Sequence, residues 1–135
     1  AKDDFSSEAY DKANEHFMLL HCAGEVREDC PECLRRKKRA GAEAYLYGWG
    51  PNEYTPTGTL RDYDYTDCLG EIQVPCLVMS GTNDLCTPLV AKTLYDGIQD
   101  SKWHLFVGAR HMPFAEQNDE YCKVLEEWME EKEGK

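Results

Sequence analysis

The sequence predicts an α/β protein in which a short parallel sheet is flanked by helices, and three observations carry that prediction. Val74 to Met79 is nearly all apolar, as expected of a parallel strand covered on both faces. A second strand-like run, Ser101 to Gly108, follows a helical stretch, so the two strands are joined by a crossover and run parallel. Both runs end on a glycine, Gly81 and Gly108, and each then enters a loop that leads into a helix.

The 135 residues suffice for one domain with a modest core. A net charge of −11 argues against nucleic acid and anionic membrane as partners. No apolar run approaches the length of a membrane-spanning helix, and the first residues lack a signal-peptide pattern. There are 7 cysteines, an odd number, and Cys76 falls inside the first strand run. They read as reduced thiols of a cytoplasmic protein.

Taken in order, residues 1–5 are expected to be loose. Ser6 or Ser7 is placed to cap a helix whose apolar positions Tyr10, Ala13, Phe17, Met18 and Leu20 recur at helical spacing. That helix ends near His21 to Gly24. A polar connection leads to Pro31, where a second helix starts and carries the basic run Arg35-Arg36-Lys37-Lys38-Arg39. Such a run suits a phosphate patch, but a solvated helix face neutralised by surrounding acids is the better account. His21, Cys22, Cys30 and Cys33 supply zinc-type ligands. One CxxC without a matched second pair is a weak signal, and no metal and no cofactor are expected.

Gly48 to Gly58 is punctuated by Gly and Pro and reads as a loop. Tyr45, Tyr47, Trp49 and Tyr54 gather around a single carboxylate, Glu53. Aromatics with one embedded carboxylate suit a pocket for an apolar, cationic group; the alternative is aromatics that pack beneath the loop. Asp62, Asp64 and Asp67 lack the glycine and distal glutamate of a calcium loop. A short helical turn over Asp67–Ile72 delivers the chain into the Val74 strand. Thr87 and Pro88 then start a helix with Val90, Leu94 and Ile98 on one stripe. The last helix runs from about Asn118 to Glu131, with Tyr121, Val124, Leu125 and Trp128 inward.

Asp84 lies on the loop after the first strand and His111 on the loop after the second. The carboxyl edge of an open α/β sheet is where such proteins place their chemistry. A carboxylate that orients an imidazole is the logic of a catalytic triad, and acid before histidine is the order of α/β-hydrolases. Most loop aspartates merely cap a turn, and that reading of Asp84 stays open. The nucleophile is missing from the pattern, since none of Ser6, Ser7, Ser80 and Ser101 sits in a Gly-x-Ser-x-Gly elbow.

Trp49-Gly50-Pro51-Asn52-Glu53-Tyr54, Thr57-Gly58-Thr59-Leu60, Asp64-Tyr65-Thr66-Asp67, the Val74–Pro88 stretch and Ser101–Glu116 together resemble proline iminopeptidases. These are serine peptidases of the α/β-hydrolase fold with a helical cap. The resemblance runs from about residue 8 to about residue 130. It implies that residues 1–47 are the end of the cap, 48–58 a substrate-facing loop, and 59–135 the C-terminal part of the hydrolase domain. By the same resemblance Asp84 is the triad acid, His111 its histidine, and Glu53, beside Trp49, the cap carboxylate that grips the substrate's free α-amino group. The family's second amine ligand, commonly Glu, follows the triad acid directly; here that position is Leu85.

Two functions follow. The first is part of a peptidase whose substrate is a peptide or amino-acid amide and whose nucleophile comes from a missing N-terminal part. The second is a non-catalytic binding or assembly module that keeps the fold. Either way, a strand edge left open invites a homodimer.

Overall fold

The computed structural model describes residues 5, 7–36, 41–52 and 55–134. Helix α1, Glu8–His21, starts at the N-cap Ser7, whose hydroxyl accepts the backbone N–H of Tyr10 at 3.3 Å. Two short helices follow, α2 at Glu32–Arg35 and α3 at Ala42–Gly48. The second helix is thus shorter than the sequence pattern suggests. Arg36 is already extended, so the basic run does not form one described helical face, and 37–40 lie outside the described residues. A 3-10 turn at Thr66–Glu71 comes next, one residue from the expected place. Asp64 Oδ1 accepts the Thr66 backbone N–H at 2.9 Å, and this bond holds the Asp64 carboxyl below its usual range.

The sheet has two parallel strands, β1 at Cys76–Gly81 and β2 at Ser101–Phe106. They are in register from Cys76 opposite Ser101 to Gly81 opposite Phe106. The first strand therefore begins two residues later than the apolar run. Pro75 has no N–H to give a ladder, and Val74, at 63% exposure, lies outside the sheet. At its far end the strand runs on through Ser80 and Gly81.

Helix α4, Pro88–Gly97, makes the crossover. Thr87 stands at its N-cap, but its side chain makes no capping bond. The buried stripe is Ala91 with Ile98, while Val90 and Leu94 of the expected stripe are exposed. Helix α5 spans Pro113–Glu116 and α6 spans Asn118–Glu133. Side chains of β2 alternate between the two covering helices, as period-two geometry requires. Trp103 meets Tyr95 of α4 at a ring separation of 6.2 Å, whereas Phe106 stacks on Tyr121 of α6 at 6.0 Å. Lys102–Glu131 and Lys132–Asp100 fasten the far end of α6 to the start of β2. The first pair is solvent-facing and stabilises by about 0–1 kcal/mol, whereas the Lys132 side chain of the second is largely covered.

The core is thin. Phe106 is wholly buried, with Cys22, Ala91, Ile98 and Ala109 the other buried apolar residues among those described. Phe106 belongs to β2 and Ala109 to the loop after it, so the best-packed part of the molecule lies under the carboxyl ends of the strands.

Candidate active site

Two loops leave those strand ends and are laced together by their backbones. Thr82 N–H donates to the Phe106 carbonyl at 3.0 Å, and Asn83 N–H to the Ala109 carbonyl at 3.0 Å. Thr82 Oγ1 accepts the Gly108 N–H at 2.9 Å. The chains come so close that a Cβ on Gly81 would lie 2.1 Å from the Ala109 carbonyl oxygen, which only glycine avoids. Gly108, at φ +84°, makes the left-handed turn out of β2.

The lacing brings Asp84 and His111 together. His111 Nδ1 lies 2.8 Å from Asp84 Oδ1. Asp84 is 7% exposed, whereas the His111 side chain is 44% exposed. A carboxylate can only accept, so Nδ1 carries the proton and Nε2 is the ring's free lone pair. The same Oδ1 accepts the Cys86 backbone N–H at 2.7 Å. Asp84 therefore caps its own turn and faces an imidazole at once; the two readings of this loop aspartate are compatible.

Features with no motif of their own support the pair. The His21 carbonyl, at the end of α1, accepts the backbone N–H of Leu85 at 3.1 Å and that of His111 at 3.2 Å. Its ring reaches the same loop, with Nδ1 2.9 Å from the Asn83 carbonyl. Beside His111, Glu116 accepts both the Arg110 backbone N–H at 2.8 Å and its guanidinium at 2.7 Å. Arg110 and Glu116 are mostly buried, so this pair is screened less than the exposed ones. Both the His21 clamp and the Arg110–Glu116 pair are missed by sequence reasoning. Only the Arg-His adjacency with a glutamate six residues after the arginine could have suggested the second.

Trp49 is the C-cap of α3, and its buried indole Nε1 has no hydrogen-bond partner among the described residues. Its carbonyl closes the aromatic loop by accepting the N–H groups of Thr57 and Gly58 at 2.9 and 2.7 Å. Buried Asn52 ties this loop to α1 by donating to the Tyr10 hydroxyl at 2.7 Å. Tyr10 and His21 are eleven residues apart on one helix, about 16 Å at 1.5 Å per residue. The loop is thus anchored at one end of α1 and the Asp84–His111 pair at the other. Glu53, expected to grip the amine, lies outside the described residues.

The fold is that of the C-terminal part of an α/β-hydrolase. In sequence the chain resembles proline iminopeptidases along nearly its whole length. It is 60% identical over 126 residues to the proline iminopeptidase of Clostridioides difficile, covering 93% of this chain and 43% of that protein. The Lactobacillus helveticus proline iminopeptidase is 56% identical over 128 residues, again 43% of its length. Among solved structures, a proline iminopeptidase from Mycobacterium smegmatis superposes with a TM-score of 0.79 at 27% identity, and VinJ with 0.80 at 28%. Each alignment covers 94% of this chain and 43% of the other. The chain therefore spans less than half the length of the relatives it matches. No family model matches it. No helix among the described residues is long and apolar enough to cross a membrane.

Proposed function

We propose that this chain supplies the acid, the histidine and the amine-gripping loop of a serine aminopeptidase. The intact protein releases an N-terminal residue, proline, from peptides or amino-acid amides through an acyl-enzyme. The observation that supports this most is the 2.8 Å contact between His111 Nδ1 and the buried Asp84 carboxylate. In that arrangement Asp84 holds the imidazole in one tautomer and stabilises its charged form. His111 Nε2 takes the proton of a serine hydroxyl as general base and returns it to the leaving amine as general acid.

The serine comes from an N-terminal part that pairs with β1, residues 59–135 being the C-terminal part of the hydrolase domain. Residues 1–47 end the cap, and 48–58 face the substrate. There Glu53 holds the substrate's ammonium and Trp49 walls the pocket. A desolvated carboxylate is the best partner for an amino terminus. None of the 7 cysteines is joined in a disulfide, which supports the cytoplasm as its compartment.

A second reading, a non-catalytic assembly module, is favoured by Leu85 in place of an acid and by the lack of a Gly-x-Ser-x-Gly elbow in these residues. Assay of the intact protein on a proline arylamide separates the two. His111→Gln should lower kcat/KM by roughly 10²–10⁴-fold. The 135-residue chain alone should give no turnover. An intact protein that is inactive, or indifferent to His111→Gln, overturns the peptidase reading.

A further inference from the structure

Asp84, Cys86 and His111 present a carboxylate oxygen, a thiol sulfur and an imidazole nitrogen that all lie within 4.8 Å of one another. Among the described residues they are the one group of three or more His, Cys, Asp or Glu side chains that converge in this way. The zinc-type ligands visible in the sequence near the CxxC do not. His21 Nδ1 is turned to the Asn83 carbonyl, and Cys30 Sγ accepts the Arg27 N–H at 3.3 Å.

We propose that Asp84, Cys86 and His111 form a binding site for a divalent cation of the zinc class. The donor set selects the ion. A thiolate with an imidazole suits zinc, cobalt and their softer neighbours, and does not suit magnesium or calcium, which take oxygen ligands. Three protein donors leave a tetrahedral ion one position for water. A tetrahedral ion at about 2.0–2.3 Å from each donor holds its donors roughly 3.3–3.8 Å apart, so side chains already within 4.8 Å of one another reach it by small adjustments. Asp84 is buried and already fixed by the Cys86 backbone N–H, whereas Cys86 and His111 are exposed and give the ion a way in. On binding, the Cys86 thiol gives its proton to water, the imidazole proton moves to Nε2 so that Nδ1 can face the ion, and the Asp84 carboxylate exchanges its contact with that N–H for the ion. Those are the groups that a peptidase would use as base and orienting acid. Occupancy by the cation and service as a general base therefore exclude each other, and the site would act as a metal-sensitive brake. The inference rests on the geometry of the three side chains and does not need the pair to be catalytic.

The test is spectroscopic titration of the reduced 135-residue chain with Co²⁺, followed by displacement with Zn²⁺. One equivalent should bind, with thiolate-to-cobalt charge transfer and the visible bands of a tetrahedral site. Cys86→Ser should abolish the charge transfer. His111→Gln and Asp84→Asn should weaken binding by at least about tenfold, since loss of a ligand costs no less than loss of its supporting partner. The double variant Cys30→Ser/Cys33→Ser should bind as the wild type does. Circular dichroism checks that each variant folds; if Asp84→Asn does not, the exposed positions Cys86 and His111 decide. Charge transfer that survives Cys86→Ser, or disappears in the Cys30/Cys33 variant, or no one-to-one binding at all, overturns the site. None of these results depends on hydrolysis, so the failure of this inference and that of the peptidase reading are told apart.

Discussion

The carbonyl of His21 accepts the backbone N–H of His111 at 3.2 Å, so the end of the first helix holds the histidine loop in place. The same oxygen takes the N–H of Leu85, next to Asp84, so one acceptor fixes both loops. Amide hydrogen exchange should report this. The Leu85 and His111 amides should be protected, and removing residues 1–24 should speed their exchange by about three- to tenfold, the value of a net hydrogen bond. His21→Ala should leave both amides protected, because it keeps the carbonyl and removes only the ring contact with Asn83. Unchanged exchange after the truncation, or equal loss in His21→Ala, would show that the carbonyl does not hold the loops.

Phe106 and Val107 are neighbours with opposite fates. Phe106 is wholly buried and stacks on Tyr121 of α6, while Val107 is 80% exposed. Phe106→Ala should cost about 3–5 kcal/mol, enough to unfold a domain of this size near room temperature. Val107→Ala should stay within about 0.5 kcal/mol. Urea titration of both variants measures this. A Phe106→Ala variant with an undiminished midpoint would mean that the core lies elsewhere.

Much of this organisation is legible in the residues. β1 stands out because its run is nearly all apolar, and both runs stop at a glycine, of which Gly81 allows the loops to touch and Gly108 turns left-handed. Asp84 and His111 stand out because each follows such a glycine by three residues. What stays hidden has a physical cause in each case. Apolarity does not say which residues pair, so the start of β1 is displaced from Val74 to Cys76. In α4 the stripe that is covered depends on where the strands and the 3-10 turn lie. Gly97 shows this, since a Cβ there would be 2.7 Å from Leu69 Cδ1. The His21 clamp is a main-chain acceptor and has no residue-type signature. The Arg110–Glu116 pair needs the turn between Met112 and Pro113 to exist before its members can meet.

Glu53 is tested in the intact protein. Glu53→Gln should lower kcat/KM for a free N-terminal substrate by roughly ten- to a hundredfold, since a charge-assisted contact is worth ~1.5–3 kcal/mol. An N-blocked substrate should be insensitive to the change. Equal losses on both would remove Glu53 from the role of amine ligand.

The last prediction concerns the free side of β1. Among the described residues this strand pairs only with β2, in a sheet of two strands. On its other side the backbone N–H and C=O groups of Cys76–Gly81 have no strand to meet. Such an edge is a template for a second chain. Two strands with helices also make a marginal unit. Leu77, Val78 and Leu105 remain only half-buried, and Leu89 and Val107 are largely exposed. The isolated 135-residue chain is therefore expected to self-associate, most simply as a two-fold dimer through the β1 edge. Light scattering over a dilution series should give a dimer mass that falls only at low concentration. A Met79→Pro change, which removes one strand N–H, should shift the mass towards monomer. A monomer mass at every concentration down to low micromolar, with a cooperative thermal transition, would show that the edge is covered within the chain itself.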